Sequence, residues 1–120
     1  MKLYLAGPMR GYKDFNFPAF DAGAEALRAQ GFEVFSPAEH DRETMAATGR
    51  VATDLTIREC MEADTRWICQ NANGIALLDG WSKSTGALAE VALARAIGIP
   101  AHEVIFWTDY YDETHETNAA

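Results

Sequence analysis

The sequence predicts an α/β protein. Short apolar runs alternate with segments whose apolar residues recur at helical spacing, a pattern typical of parallel sheets with crossover helices. Glycine or proline closes most of these segments, as expected where strands and helices end. The 120 residues suit one domain, and the 48% hydrophobic content is enough for a packed core. We therefore expect a doubly wound, mainly parallel sheet of four to five strands with helices on both faces, of the flavodoxin/Rossmann-like type.

The first half of the chain alternates strand, helix, strand and loop. Asn16 is placed to cap a helix that starts near Pro18, a residue favoured in the first helical turn, and that ends at Gly31. The predicted strands and loop are Lys2–Ala6, Phe32–Phe35 and the polar segment from Ser36 to about Gly49.

The second half continues the alternation. Ile57, Met61 and Ile68 recur at helical spacing and predict a long helix. The predicted elements are a helix from about Val51 to Gln70, a strand at Ile75–Leu78, a helix at Gly86–Ile97 and a strand at Glu103–Trp107.

Chain order predicts where a ligand would bind. Right-handed crossovers place the first strand between the second and the third. In such sheets, ligands bind at the carboxyl ends of the strands beside the point where the strand order reverses. We therefore expect the loops at 7–15 and 79–85 to meet there.

Both of these loops carry residues suited to an anion. The first reads Gly7-Pro8-Met9-Arg10-Gly11, with glycines that free the backbone and a guanidinium. The second, Ser82 to Gly86, ends in a helix N-terminus with hydroxyls and free N–H groups. Singly, these glycines are as well explained as turn and cap residues, but together they predict a phosphate pocket. The chain has neither a P-loop nor a G-x-G-x-x-G motif, so a dinucleotide cofactor is not expected.

Two acids stand on apolar helix faces. Glu90 shares a face with Ala87 and Ala94, and Asp64 lies among the apolar residues of the preceding helix. A carboxylate there loses hydration unless it is paired or used in chemistry. Tyr4 on the first strand is positioned to direct its hydroxyl toward Glu90. Each acid alone is as consistent with a structural role, whereas two acids near an anion pocket favour glycosyl chemistry.

Other functions are disfavoured by composition. A net charge of −8 argues against binding a nucleic-acid polymer. No stretch approaches the about 20 apolar residues of a membrane span, and the N-terminal apolar run is too short for a signal peptide. No His or Cys pair has metal-ligand spacing, so no metal or organic cofactor is expected, and Cys60 and Cys69 are expected as buried free thiols. We expect a cytoplasmic protein.

The motifs resemble those of a known family. YLAGPMRG, the Asn16-Phe17 pair that opens a helix, and LLDGWSKSTGALAEVALARAIGIP resemble the nucleoside 2-deoxyribosyltransferase-like family, closest to a small uncharacterised branch. The spacing Ser84-x-Gly86-x-x-x-Glu90 is similar to that of the deoxynucleoside 5′-monophosphate N-glycosidases. The resemblance extends over residues 2–107.

The resemblance implies roles for individual residues. The residue matching Glu90 is the family's nucleophile, and the acid matching Asp64 assists the leaving base or the incoming water. The Gly-x-x-Arg-Gly loop and the Ser-x-Gly turn bind the 5′-phosphate, and Asn16 and Asp79 are further expected substrate-binding residues. Plain nucleoside transferases carry Asp where this chain has Ser84, which favours a phosphorylated substrate. A homodimer or larger homo-oligomer is also implied.

The predicted function is hydrolysis of the N-glycosidic bond of a (deoxy)nucleoside 5′-monophosphate through a Glu90 glycosyl-enzyme intermediate, at residues 1–108. Transfer of 2-deoxyribose between bases and a non-catalytic nucleotide-binding or sensing module remain alternatives. The base is not predicted; its choice belongs to Ser36–Gly49 and Phe15–Phe17, where the two Phe rings either stack on a base or staple the first helix. Residues 109–120 hold four acids and no Lys or Arg, and are expected to form an acidic tail.

Overall fold

A four-stranded parallel sheet forms the centre of the molecule. The computed structural model describes residues 1–111, and its strands lie in the order β2-β1-β3-β4. Their bounds are β1 Lys2–Ala6, β2 Glu33–Phe35, β3 Gly74–Leu77 and β4 Ala101–Glu103. The predicted fold class is confirmed, as is the position of β1 between β2 and β3.

Four α-helices connect the strands: α1 Phe17–Ala29, α2 Pro37–Thr48, α3 Ile57–Asn71 and α4 Thr85–Ile97. Short 3₁₀ turns occur at Lys13–Asn16, Ala52–Asp54 and Trp81–Lys83. In the part of the chain described, no helix has the length and apolar character needed to cross a membrane.

The two faces of the sheet carry separate cores because successive residues of a strand point to opposite sides. On β1, Leu3 and Leu5 pack on one face with α1, while Tyr4 and Ala6 pack on the other with α3 and α4. All four side chains are essentially inaccessible to solvent. Helices therefore cover both faces, and every side chain of β1 from Leu3 onward is buried.

The prediction of a loop from Ser36 to Gly49 is wrong, because this segment forms α2. The helix buries little apolar surface, with only Pro37 and Ala38 inaccessible, so its sequence lacks the periodic apolar stripe that would reveal it. Two ion pairs attach it to α1: Arg28 with Glu39 and Arg42 with Asp21, both at 2.7 Å.

The long central helix begins later than the sequence predicts. Thr56 caps α3, since its hydroxyl accepts the Glu59 N–H at 3.1 Å and its own N–H donates to the Glu59 carboxylate at 2.7 Å. This reciprocal capping fixes the start of the helix at Ile57. The preceding residues from Val51 form a separate short turn.

The final strand is earlier and shorter than predicted. The run expected as a strand, Glu103–Trp107, instead turns into a π-helical segment at Phe106–Tyr110. Trp107 holds this segment in place. Its ring is buried, and its Nε1–H donates to the carbonyl oxygens of Ile75 at 3.0 Å and His102 at 3.2 Å. Tyr111 packs on Phe32, so the expected acidic tail begins in packed structure. Its remainder, 112–120, lies outside the described residues.

Gly74→Ala is expected to destabilise the fold. A Cβ at this position would lie 2.7 Å from the buried Trp107 ring and 3.2 Å from Leu3, so the ring would have to shift. We expect a loss of about 1–3 kcal/mol in the free energy of unfolding, measured by urea denaturation. Gly86→Ala is the control, since its Cβ would meet only Met61 at 3.8 Å. Equal stability of the two variants would contradict the assigned packing.

Candidate active site

One cavity of about 480 Å³ opens at the carboxyl end of β1. Its walls come from the loop after β1, from α2 and α3, and from the start of α4, as expected at the point where the strand order reverses. Both predicted loops contribute to it. Eight predicted site residues line the cavity: Tyr4, Gly7, Pro8, Arg10, Asp64, Ser84, Gly86 and Glu90.

Tyr4, Glu90 and Asp64 form the polar centre of the cavity. The Tyr4 hydroxyl donates to Glu90 Oε2 at 2.6 Å, as the sequence predicts. Asp64 reaches the same centre from α3, where its Oδ1 is buried and has no hydrogen-bond partner among the described residues. Glu90 is 5% exposed and Asp64 7%, so both carboxyls lie almost entirely inside the protein.

Burial alters the acidity of this centre. Loss of hydration raises the pKa of Asp64 to about 7 and that of Glu90 to about 8. The Tyr4 hydroxyl partly offsets this by stabilising the ionised carboxylates, and the Asp64 charge raises the pKa of Glu90 further. Burial and then the two acids raise the pKa of Tyr4, so it remains a hydrogen-bond donor. The two carboxyls therefore change protonation near neutral pH.

An aromatic stack holds Tyr4 in place. Its ring lies against Phe35 with centroids 5.7 Å apart, and Phe35 in turn stacks on Trp67 at 5.0 Å. Tyr4 and Phe35 are also paired residues of β1 and β2. The position of the hydroxyl is therefore fixed by the sheet and by ring packing together.

The start of α4 presents hydrogen-bond donors on one wall of the cavity. Ser84 caps the helix, with its Oγ accepting the Ala87 N–H at 3.2 Å. The first intrahelical bond runs from the Leu88 N–H to the Ser84 carbonyl at 2.9 Å, so the N–H groups of Thr85 and Gly86 precede it. The hydroxyl hydrogen of Ser84 and these N–H groups are donors at the positive end of the helix dipole.

The loop after β1 is held close to the end of β3. A Cβ at Gly7 would lie 2.8 Å from the Cβ of Leu78, so glycine permits the approach. Arg10 bonds the segment that precedes α3: its Nη2 donates to the Leu55 carbonyl at 2.7 Å. Its charge lowers the pKa of Asp41, whose net shift is upward because of burial. Arg10 thus lies on the wall formed by α2 and α3, and its predicted phosphate contact stays a prediction.

Three predicted substrate-binding residues, Gly11, Asn16 and Asp79, are not among those lining the cavity. Asn16 does not cap α1 with its side chain; its Nδ2 donates to the Pro8 carbonyl at 2.9 Å and ties the loop to the helix start. Asn16 ends a run of three residues with positive φ, which only the surrounding contacts can maintain. Gly11 and Asp79 are exposed.

The aromatic residues near the two loops differ in what they contact. Phe15 and Phe17 both line the cavity, and Phe17 also packs on the core around α1. Stacking of either ring on a base stays a prediction. Trp81 packs on the opposite core and is not among the lining residues. It is therefore a packing residue in this structure.

Sequence reasoning missed the wall formed by α2 and α3. Asp41 and Cys60 line the cavity, and the Cys60 thiol donates to Asp41 Oδ1 at 3.9 Å. The expectation of two buried thiols is wrong, because Cys60 is half-buried and Cys69 is exposed. Burial raises the pKa of the Cys60 thiol to about 11. Recognising α2 as a helix would have aligned Asp41 with Pro37, one turn earlier on the same wall.

The chain belongs to a family described as a domain of unknown function, DUF4406, whose sequence profile matches residues 1–103. No curated protein and no solved structure matches the chain significantly. Among residues 1–111, no group of three His, Cys, Asp or Glu side chains is arranged to hold a metal ion.

The raised pKa values predict that Asp64→Asn stabilises the protein increasingly as pH rises. Folded Asp64 keeps its proton to about pH 7, whereas the unfolded side chain loses it near 3.8, so its contribution is fully present below pH 3.8 and is lost as pH rises through 7. Asn cannot ionise. We expect the difference in unfolding free energy between variant and wild type to grow by about 1–4 kcal/mol from pH 4 to pH 8.

Urea denaturation of both proteins across this pH range measures that difference. Comparing variant with wild type cancels the effect of carboxyls that do not interact with Asp64, such as Glu59, whose pKa is lowered to about 2, chiefly by its bond to Arg50. Glu43→Gln, at an exposed carboxyl on α2, is the control. A difference for Asp64→Asn that does not change with pH would contradict the assignment.

Proposed function

We propose that this protein hydrolyses the N-glycosidic bond of a (deoxy)nucleoside 5′-monophosphate, with Glu90 as nucleophile and Asp64 as acid and base. The observation that carries the proposal is the buried Glu90–Tyr4 hydrogen bond beside Asp64, in the same cavity as the N-terminus of α4. The motifs that resemble the nucleoside 2-deoxyribosyltransferase-like family support the same roles for the same residues.

The first step is displacement at the sugar. The Glu90 carboxylate attacks C1′ and forms an ester, while the C1′–N bond breaks and its electron pair stays on the base. Asp64 gives its proton to the leaving base, so a neutral base departs. Two carboxyls on one reacting centre are what a retaining, two-step glycosidase requires.

The second step releases the sugar. Asp64, now ionised, accepts a proton from water as the water oxygen attacks C1′. The ester bond breaks and the electron pair returns to Glu90 as a carboxylate. The products are the free base and the sugar 5-phosphate, and both acids regain their starting protonation.

The proposed reaction needs one proton between the two carboxyls, with Asp64 protonated and Glu90 ionised. The pKa of Glu90, about 8, lies above that of Asp64, about 7, so this reactive form is the minor of the two singly protonated forms and is reached by moving the proton within the pair. A pKa of about 7 lets Asp64 hold a proton that it can give to the base at neutral pH. The Tyr4 hydroxyl donates to Glu90, which favours the ionised nucleophile. Because the acids interact, their titration belongs to the pair.

The start of α4 is the proposed phosphate site. Glu90 lies on the same helix as Ser84 and Gly86, one to two turns further along. The helix thus aligns a group of N–H and hydroxyl donors with the nucleophile on one rigid element. A 5′-phosphate held at the N-terminus would be stabilised by the helix dipole and by charge-assisted hydrogen bonds.

Glu90→Gln is expected to abolish base release while leaving the fold and nucleotide binding intact. The amide keeps the size of the side chain but cannot form the ester with C1′. Loss of a catalytic nucleophile costs about 10⁶-fold in other enzymes, so release should fall by several orders of magnitude. The assay is chromatography of bases released from dAMP, dGMP, dCMP and dTMP, with binding measured by calorimetry.

Glu25→Gln is the matched control, because Glu25 is an exposed carboxyl on α1 outside the cavity. If Glu90→Gln releases base within tenfold of wild type, Glu90 is not the nucleophile. If wild type binds nucleotides without releasing base, the protein is a binding module rather than a hydrolase. Adding a second free base to the reaction distinguishes sugar transfer, which would yield a new nucleotide.

Ser84→Asp is expected to weaken binding of a 5′-monophosphate and to spare the matching nucleoside. Asp caps a helix as well as Ser, so α4 remains formed, but its carboxylate repels phosphate. Ser84→Asn is the control, because Asn caps equally well without charge. We expect at least about a tenfold larger loss for dAMP than for deoxyadenosine in Ser84→Asp alone, by calorimetry. Equal losses for both ligands would remove phosphate from this end of the cavity.

A further inference from the structure

Asp41 is a carboxyl of the cavity that the proposed reaction does not use. It lies on α2, one turn after Pro37, and both residues line the same wall. Glu90 and Asp64 supply the nucleophile and the acid, so bond cleavage requires no third carboxyl. A half-buried carboxyl facing a ligand cavity loses hydration unless something replaces it.

Within the described residues, Asp41 has little to replace that hydration. One hydrogen bond comes from the Cys60 thiol at 3.9 Å, a weak donor. His40 and Arg10 favour its ionised form electrostatically, but neither forms an ion pair with it, and burial still raises its pKa. An ionised carboxylate accepts up to about four hydrogen bonds. Asp41 therefore has acceptor positions to offer, and the buried, unpartnered Oδ1 of Asp64 in the same cavity is a second polar atom without a partner.

The position of Asp41 relative to α3 separates it from the phosphate end. Met61 on α3 faces Gly86, since a Cβ at Gly86 would lie 3.8 Å from its sulfur. Cys60, the preceding residue of the same helix, contacts Asp41 instead. Consecutive helical residues point about 100° apart, so the two contacts lie on different sides of α3. Asp64, one turn beyond Cys60, lies between them at the reacting centre.

We infer that Asp41 selects bases that carry an amino group on their pairing edge; this inference rests on the proposed function. With its phosphate at the start of α4 and C1′ at Glu90, a nucleotide then has its base on the Asp41 side of the cavity, away from Met61 and Gly86. A carboxylate only accepts hydrogen bonds, and adenine, cytosine and guanine each offer amino N–H donors there. Thymine and uracil present carbonyl oxygens beside a single N–H, and these oxygens repel a carboxylate.

Asp41→Asn tests this inference because Asn both donates and accepts. Base release from dAMP, dGMP, dCMP and dTMP is measured by chromatography, and binding of the same four nucleotides is measured by calorimetry in the Glu90→Gln background. Wild type is expected to prefer the three amino-bearing bases over thymine. Asp41→Asn should reduce that preference by at least about tenfold, the effect of losing a charge-assisted hydrogen bond.

Two further variants complete the experiment. Asp41→Glu keeps the carboxylate and should keep the preference, even if overall affinity falls. Glu43→Gln removes an exposed carboxyl from the same helix and should leave all ratios unchanged. Thermal unfolding shows whether Asp41→Asn folds. If it does not, the wild-type preference and Asp41→Glu still test the inference. A wild type that favours thymine or treats all four bases alike overturns it.

Failure of the inference and failure of the proposed function are distinguishable. Base release with ratios unchanged by Asp41→Asn would overturn the inference and leave hydrolysis standing. Base-selective binding that Asp41→Asn alters, without any release, would support the inference and overturn hydrolysis. No binding and no release would overturn both.

Discussion

The hydrogen bond from Tyr4 to Glu90 connects the sheet to the chemistry of the cavity. Tyr4 belongs to the central strand, with partners on both sides, and its ring is fixed by Phe35 and, through it, by Trp67. Glu90 belongs to a helix packed on the same face. A buried carboxyl at this place is tolerable because one donor reaches it and because it keeps its proton easily. The strand order and the ring stacking thus position the Tyr4 hydroxyl, and the acidity of Glu90 depends on the 2.6 Å hydrogen bond that it accepts from this hydroxyl.

The fold was largely predictable because its signals are local and apolar. The alternation of Leu3, Tyr4 and Leu5 between two faces follows from strand geometry alone, and the strand order follows from the handedness of crossovers. The α2 helix was not predictable in this way, since it buries almost no apolar side chain. The strand predicted at Glu103–Trp107 was wrong for the opposite reason. The segment is apolar enough for a strand, but the indole N–H of Trp107 bonds two carbonyl oxygens and holds the segment in a turn.

The site was predictable where an unusual residue interrupts a regular pattern. Glu90 and Asp64 stand out because a carboxyl on an apolar stripe loses hydration unless it is paired or used in chemistry, and Ser84 stands out at a helix start. Asp41 has no such contrast, because α2 is polar throughout and an acid there resembles a solvated surface. Its place in the cavity follows from tertiary packing that no local pattern records. The prediction that the Asn16 side chain caps α1 failed for a similar reason, since this side chain bonds the Pro8 carbonyl, eight residues earlier in the chain.

The exposed ion pairs of α2 have a consequence for how the cavity responds to its surroundings. One wall is built on the sheet and two buried cores. The helix that carries Asp41 buries only Pro37 and Ala38. It is otherwise attached to α1 by the pairs Arg28–Glu39 and Arg42–Asp21, which dissolved salt screens. Raising ionic strength therefore weakens the attachment of α2 to α1 and leaves the cores on the sheet intact. The shape of the cavity then depends on dissolved salt mainly along the wall that carries Asp41.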